Sequence, residues 1–241
     1  MIPKVIHYIW VGKNPLPKIA EKCIESWRRY CPDYEIKKWD ESNLDLEFCD
    51  YVKEAYSAKK YAFVSDVLRT KIIFDEGGIY LDIDVELFKS LDPLLENKCF
   101  YGFESDWLIA PGLIMGAEPG DIHLKNILNL YMKKHFFEKN KMDLTTVCEI
   151  YTDYYSKLGL SRNGKTQQID DILFYSTEYF CPKDYVSGKI KKTNNTYTIH
   201  HYYASWQPRK MKMKDKIKRI IRNILGEKII EKVKRKKRKF D

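Results

Sequence analysis

Asp82 and Asp84 stand one residue apart at the end of the run Ile79-Tyr80-Leu81-Asp82-Ile83-Asp84-Val85. Two carboxylates held side by side repel each other, so a positive group should lie between them or one should hold a proton. A hard divalent cation, Mg or Mn, carrying a substrate's phosphates meets that need, because it takes oxygen ligands and keeps positions open for phosphate. An Asp-x-Asp triplet is common in chains of ordinary composition, and its meaning depends on its company. Asp66 and Arg69 are three residues apart a little upstream, a spacing that projects both from one helix face.

The elements that must position these four residues are legible nearby. Residues 62–75 contain no Pro or Gly, and Val64, Val67, Leu68 and Ile72 recur at helical spacing. Gly77-Gly78 stops the helix, since glycine accepts the left-handed conformation of a C-cap. Ile79, Leu81, Ile83 and Val85 then alternate with Tyr80, Asp82 and Asp84, which predicts a strand with both aspartates on one face.

Asp66-Val67-Leu68-Arg69 followed by Gly77-Gly78-Ile79-Tyr80-Leu81-Asp82-Ile83-Asp84 resembles the sugar-nucleotide-binding segment of the DXD glycosyltransferases of family 32, which include bacterial capsular polysaccharide transferases and yeast mannosyltransferases. It is also similar to the core of the large clostridial glucosylating toxins. The resemblance starts at Ile2-Pro3-Lys4-Val5-Ile6-His7-Tyr8-Ile9-Trp10-Val11-Gly12 and runs, weaker in its middle, to His200-His201-Tyr202-Tyr203-Ala204-Ser205-Trp206.

The resemblance implies a GT-A fold, a mixed, mostly parallel sheet flanked by helices, and transfer of a hexose from a nucleotide diphosphate sugar to a glycan or lipid-linked acceptor in capsular or cell-surface polysaccharide synthesis, with retention. UDP-hexose is the implied donor and GDP-mannose the second choice. Trp10 would pack on the base, Asp66 and Arg69 would hold the donor sugar, and Asp82 would bind ribose or sugar hydroxyls and help the metal. Ser205 and Trp206 would close over the diphosphate. One of His200 and His201 would complete the metal site with Asp84, imidazole nitrogen suiting Mn better than Mg. Adjacent histidines on a strand face opposite ways, so one of the two is the ligand, and the sequence does not choose. Glu104, Asp106 and Trp107 are candidates for the sugar and acceptor pocket, against the plain alternative of an exposed loop. His7 reads as a structural hydrogen-bonder.

Along the chain, residues 5–11 read as a buried strand, a helix runs to Tyr30, and residues 34–39 form a second strand, which makes a βαβ unit with a nucleotide at the carboxyl ends of parallel strands. Residues 43–60 read as loosely helical. Strands are expected at 99–104 and 113–117, a helix at 123–137, a polar lobe over the cleft at 138–168, an edge strand at 172–180, and a turn at Asn194-Asn195 leading into 196–200.

The 241 residues suit a transferase domain over 1–208 and a tail over 209–241. The net charge of +9 belongs to the tail, where residues 207–241 hold sixteen Lys and Arg against four Asp and Glu. Ile217, Ile220, Ile221, Ile224 and Leu225 recur there at helical spacing among the basic residues. This basic amphipathic helix, spanning 210–240, is expected on an anionic membrane surface, each basic residue adding about 1 kcal/mol. Aromatic interleaving of the kind that binds single strands is lacking, so no nucleic acid partner is expected. No apolar run approaches the roughly 20 residues of a membrane span. The apolar N-terminus reads as a strand and not a signal peptide, so the protein is expected in the cytoplasm, and the basic tail adds the expectation that it is peripheral on the inner face of the plasma membrane. Six scattered cysteines with no CxxC pair read as reduced, mostly buried thiols. Two other classes remain: a non-catalytic assembly partner of a polysaccharide complex, and a basic nucleic-acid-binding protein.

Overall fold

The computed structural model describes residues 1–139, 141–184 and 188–203. Ser205, Trp206 and the basic tail lie outside the described residues. The chain opens with β1 (Val5–Ile9), α1 (Lys18–Tyr30) and β2 (Glu35–Trp39). Next come α2 (Asp50–Ser57), α3 (Tyr61–Glu76), β3 (Gly78–Tyr80) and β4 (Val85–Leu87). A 3-10 turn at Asp92–Leu94 leads to β5 (Cys99–Ser105), β6 (Leu108–Ile109) and β7 (Met115–Ala117). Then follow α4 (Ile122–Tyr131), the short β8 (Phe137–Glu138) and β9 (Lys141–Met142), and α5 (Val147–Ser156). The last are β10 (Gln167–Ile169), β11 (Ile172–Tyr175), α6 (Thr177–Phe180) and β12 (Thr198–His200).

The main sheet has the order β10-β11-β5-β7-β3-β1-β2, with β6 joined to β5. Pairing is parallel for β1 with β2, β1 with β3 and β5 with β11, and antiparallel for β7 on both sides and for β10. Five of these seven strands therefore run one way, which is the mixed, mostly parallel sheet expected. The βαβ unit forms as read, because Pro17 opens α1 and its apolar stripe Ala20, Cys23, Ile24 and Trp27 is buried.

Each sheet face carries its own core, as period-two side chains dictate. Along β5, Tyr101 and Phe103 enter one core with α2 to α5, while Phe100 enters the other with α1 and α6. On the first face Thr70 meets the Tyr151 hydroxyl at 2.7 Å and Tyr155 donates to the Tyr101 hydroxyl at 2.9 Å. On the second face the indole of Trp27 donates to the Val85 carbonyl at 2.7 Å, and Leu87 N–H donates to Ser26 Oγ at 2.9 Å. Helix α1 thus pins β4, and β4 in turn pairs antiparallel with β12, setting His200 opposite Val85.

Several local expectations differ. β3 ends at Tyr80; the chain then turns, with Val85 N–H bonded to the Asp82 carbonyl at 3.0 Å, so the aspartates lie on a turn between two strands. Helix α4 stops at Tyr131, because Phe136 must reach the core and sits 5.2 Å from the Phe63 ring and 5.4 Å from Tyr51. The segment read as a polar lobe supplies α5, whose Tyr151 and Tyr155 are fully buried; its start is fixed by a capping box between Thr146 and Glu149. The strand at 172 ends at Tyr175 and turns into α6, and β10 takes the edge position outside it.

His7 is structural, as expected. Trp39 Nε1 donates to its Nδ1 at 3.1 Å, so Nε2 carries the hydrogen and donates to the Gly77 carbonyl at 3.0 Å. Burial holds its pKa down at about 4. The unfolded chain binds this proton more readily, so stability is full above pH 6.5 and is lost as pH falls toward 4. The loss attributable to His7 is about 3 kcal/mol. Urea unfolding of the wild type and His7→Gln at pH 7 and pH 4.5 should show a correspondingly shallower fall in the variant.

Candidate active site

The candidate site forms where α3, the turn after β3, the end of β5 and β12 converge. In α3, Asp66 and Arg69 share one face. Arg69 Nη2 lies 2.9 Å from Asp66 Oδ1 and 3.5 Å from Asp82 Oδ1. The guanidinium is oriented twice more, by Nε donating to the Ser65 carbonyl at 3.0 Å and by stacking 4.7 Å from the centroid of the Tyr80 ring. The Tyr80 hydroxyl also donates to Asp82 Oδ1 at 3.0 Å. Gly77, with φ of +67°, makes the reversal from α3 into β3 that brings these groups together.

Asp84 lies on the other side of Asp82. Its Oδ1 is 3.3 Å from His200 Nε2, and its Oδ2 accepts Tyr203 N–H at 2.6 Å. One ligand atom each from Asp82, Asp84 and His200 falls within 4.8 Å of the others. His201 points away: its Nε2 meets Glu86 Oε2 at 2.7 Å, and that carboxylate also accepts Lys22 Nζ at 2.9 Å. The β12–β4 register thus selects His200 for the cluster and turns His201 to a hydrogen bond with Glu86.

The electrostatics separate the two aspartates. Burial opposes ionisation of Asp84, but the His200 ring and the Tyr203 N–H outweigh it and bring its pKa down to about 2. Burial raises Asp82, Arg69 lowering it in part and Asp84 raising it further. Burial also pushes Asp66 up to about 7 against the pull of Arg69. Burial works against the Arg69 charge, yet Asp82 and its neighbours raise its pKa above the ordinary value. His200 is raised too, the Asp84 carboxylate overcoming burial. Four carboxyl groups, Glu104 included, face one guanidinium and one imidazole, a surplus of acid suited to a divalent cation. Two carboxylate oxygens and an imidazole nitrogen within 4.8 Å of one another are a donor set that fits a divalent cation.

The remaining candidates divide. Trp10 follows β1 at the same end of the sheet, half-buried, its indole donating to the Asn14 carbonyl at 2.6 Å. Glu104, at the end of β5, comes into the site within electrostatic reach of His200 and Asp82. Asp106 and Trp107 lie in the exposed turn between β5 and β6, with Trp107 61% exposed. Tyr80, Ser65 and Gly112 were not singled out from sequence. Pro111-Gly112 signals a turn but not what the turn faces. Gly112 accepts Asp82 N–H at 2.8 Å, and a Cβ on it would meet Arg69 Nη1 at 2.1 Å and Asp82 Oδ2 at 2.4 Å. Gly112→Ala must displace that pair, and a tenfold or greater loss of donor affinity with the fold retained is expected, measured by calorimetric titration.

Residues 17–101 match the glycosyltransferase sugar-binding region containing DXD motif. That span holds Asp66, Arg69, Asp82 and Asp84. Inositol phosphoceramide mannosyltransferase 1 of Schizosaccharomyces pombe is 30% identical over 127 residues, 45% of this chain and 38% of that protein. An uncharacterized glycosyltransferase of Acanthamoeba polyphaga mimivirus is 24% identical over 220 residues, 86% of this chain and 85% of the viral protein. The chain thus spans about two fifths of the first relative and most of the second. Among solved structures, the PaToxG glycosyltransferase superposes with a TM-score of 0.52 at 18% identity, over 65% of this chain and 69% of that one. This likeness shows the GT-A fold expected from sequence, and the family match bears out the resemblance to DXD glycosyltransferases.

Proposed function

We propose that this chain is a metal-dependent glycosyltransferase that moves a hexose from a nucleotide diphosphate sugar to a hydroxyl of a glycan or lipid-linked acceptor. The observation that carries the proposal is the meeting of Asp82, Asp84 and His200 beside the Arg69–Asp66 pair at the carboxyl end of the sheet. Asp84 and His200, with help from Asp82, would hold the cation. A cation held there supplies Lewis-acid stabilisation of the charge that grows on the departing diphosphate. Asp66 and Arg69, each orienting the other, hold the donor's sugar. Trp10 packs on the base. The bond between the anomeric carbon and the phosphate oxygen breaks, a bond to the acceptor oxygen forms on the same face, and the acceptor's proton passes to the departing phosphate. Retention in this form is inherited from the resemblance to family 32.

UDP-hexose is the donor favoured by likeness to the toxin-like and capsular transferases. A second reading, GDP-mannose, is favoured by the relatives named mannosyltransferases. Release of nucleoside diphosphate from UDP-glucose, UDP-galactose and GDP-mannose with Mn present decides between them. Turnover of one donor supports the transferase; no turnover of any donor, with or without sugar acceptors, favours the non-catalytic assembly partner. Among the described residues no helix is long and apolar enough to cross a membrane. We extend the proposal to residues 210–240 as a contact with the anionic inner face of the plasma membrane, serving a lipid-linked or capsular acceptor. Deleting residues 212–241 should abolish sedimentation with anionic vesicles and spare donor hydrolysis.

A further inference from the structure

Three large apolar side chains stand exposed on one small element. In the β8–β9 hairpin Phe137 pairs with Met142 and Glu138 with Lys141. Asp143 N–H donates to the Phe136 carbonyl at 2.8 Å, which carries the ladder one pair further. Side chains alternate across it, so Phe136 and Asp143 fall on one face and Phe137, Met142 and Leu144 on the other. The first face is occupied: Phe136 is fully buried, and Asp143 Oδ2 accepts Lys134 Nζ at 2.5 Å. The second is not, with Phe137 41%, Met142 44% and Leu144 60% exposed. Lys133 stands just before the hairpin and Lys139 and Lys141 at its tip, all exposed and without an ion pair among the described residues. Only Glu138 opposes them at the tip, which leaves the hairpin a positive surplus.

The hairpin is firmly placed. Phe137 N–H donates to Glu54 Oε2 at 3.0 Å, and His135 Nδ1 meets Glu54 Oε1 at 2.8 Å. The Phe136 ring lies 5.2 Å from Phe63, one turn of α3 before Asp66. The element therefore stands on the turn of α3 that leads into the candidate site. Apolar side chains ringed by lysines are the chemistry of an interfacial anchor for anionic lipid. We propose that this hairpin is a membrane contact of the folded domain: Phe137, Met142 and Leu144 enter the headgroup region of an anionic bilayer, and Lys133, Lys139 and Lys141 meet its charges. A lipid-linked acceptor cannot leave the bilayer, and a contact beside Asp66 turns the cleft toward it. The inference deepens, and rests on, the membrane reading of the proposed function. Stable anchoring takes two signals, so the hairpin acts together with residues 210–240.

The test is sedimentation of the full chain with vesicles of phosphatidylcholine and phosphatidylserine. The triple variant Phe137→Ser, Met142→Ser, Leu144→Ser should partition at least tenfold more weakly, with an unfolding midpoint near wild type because the side chains are exposed. Each of Lys133→Gln, Lys139→Gln and Lys141→Gln should weaken partition by about fivefold, and added salt should shrink that loss. Leu158→Ser, an equally exposed apolar residue at the far end of α5, should change nothing. Undiminished partition in the triple variant, or an equal loss in Leu158→Ser, would overturn the inference and leave the tail reading standing. A wild type that is dimeric in solution and monomeric as the triple variant would overturn it too, since a second copy would then cover the face. If the wild type binds no anionic vesicles, the membrane reading falls with it.

Discussion

Replacing Asp84 with alanine is expected to lower transfer by about a thousandfold in kcat/KM, on the scale of losing a principal electrostatic stabiliser of the transition state. The effect is large because Asp84 is the one carboxylate of the cleft held firmly ionised, with His200 at 3.3 Å and the Tyr203 N–H at 2.6 Å. Asp82 is raised by burial and tied through Arg69 and Tyr80, so it cannot take over. Asp84→Asn is the matching control. It still accepts the Tyr203 N–H and keeps the turn, yet carries no charge for a cation. Loss of activity in both variants with unfolding midpoints near wild type assigns the defect to the site. Full activity in Asp84→Asn would contradict the assignment.

The second large effect concerns stability. Arg69 is 5% exposed and faces Asp66 and Asp82 at once. Removing one partner of a buried ion pair leaves an uncompensated charge, at a cost of about 3–5 kcal/mol. Arg69→Met, which keeps the stem and removes the charge, should lose stability in that range at pH 8 by urea unfolding. Asp66 supplies the pH dependence. Its folded pKa, already about 7, must rise further without the guanidinium. A carboxyl raised on folding stabilises below its unfolded pKa and loses that contribution as pH rises through the folded value, so the defect of Arg69→Met should shrink at pH 5. Asp66→Asn added to Arg69→Met should recover part of the loss. A defect that is equal at pH 5 and pH 8 would remove the buried carboxyl from the explanation.

What could be read from the sequence follows the range of the interactions. The helix, glycine stop and strand around the aspartates are local, set by apolar spacing and by one backbone conformation at Gly77, and α3 begins and ends within a residue of expectation. Asp82 and Asp84 meet in one cluster as the alternation suggests, although β3 ends at Tyr80 and a turn carries them. The choice between His200 and His201 was not legible, because it depends on the register of β12 against β4, which are over a hundred residues apart in the chain. Helix α5 was hidden by its tyrosines. Tyr151 and Tyr155 look polar in sequence but are buried, with the Tyr155 hydroxyl bonded to Tyr101 and that of Tyr151 to Thr70. Gly112 gave no signal of its role, since a close approach to two side chains, from α3 and from the turn after β3, is a property of the fold.

Thermal stabilisation of the purified protein by UDP, GDP and CMP, each with and without Mn, tests the central claim most directly. The account predicts a shift that requires Mn and appears with one nucleotide, by mass action on the folded state, and that disappears in Asp84→Ala. No shift with any nucleotide, or a shift indifferent to both Mn and Asp84, would contradict it.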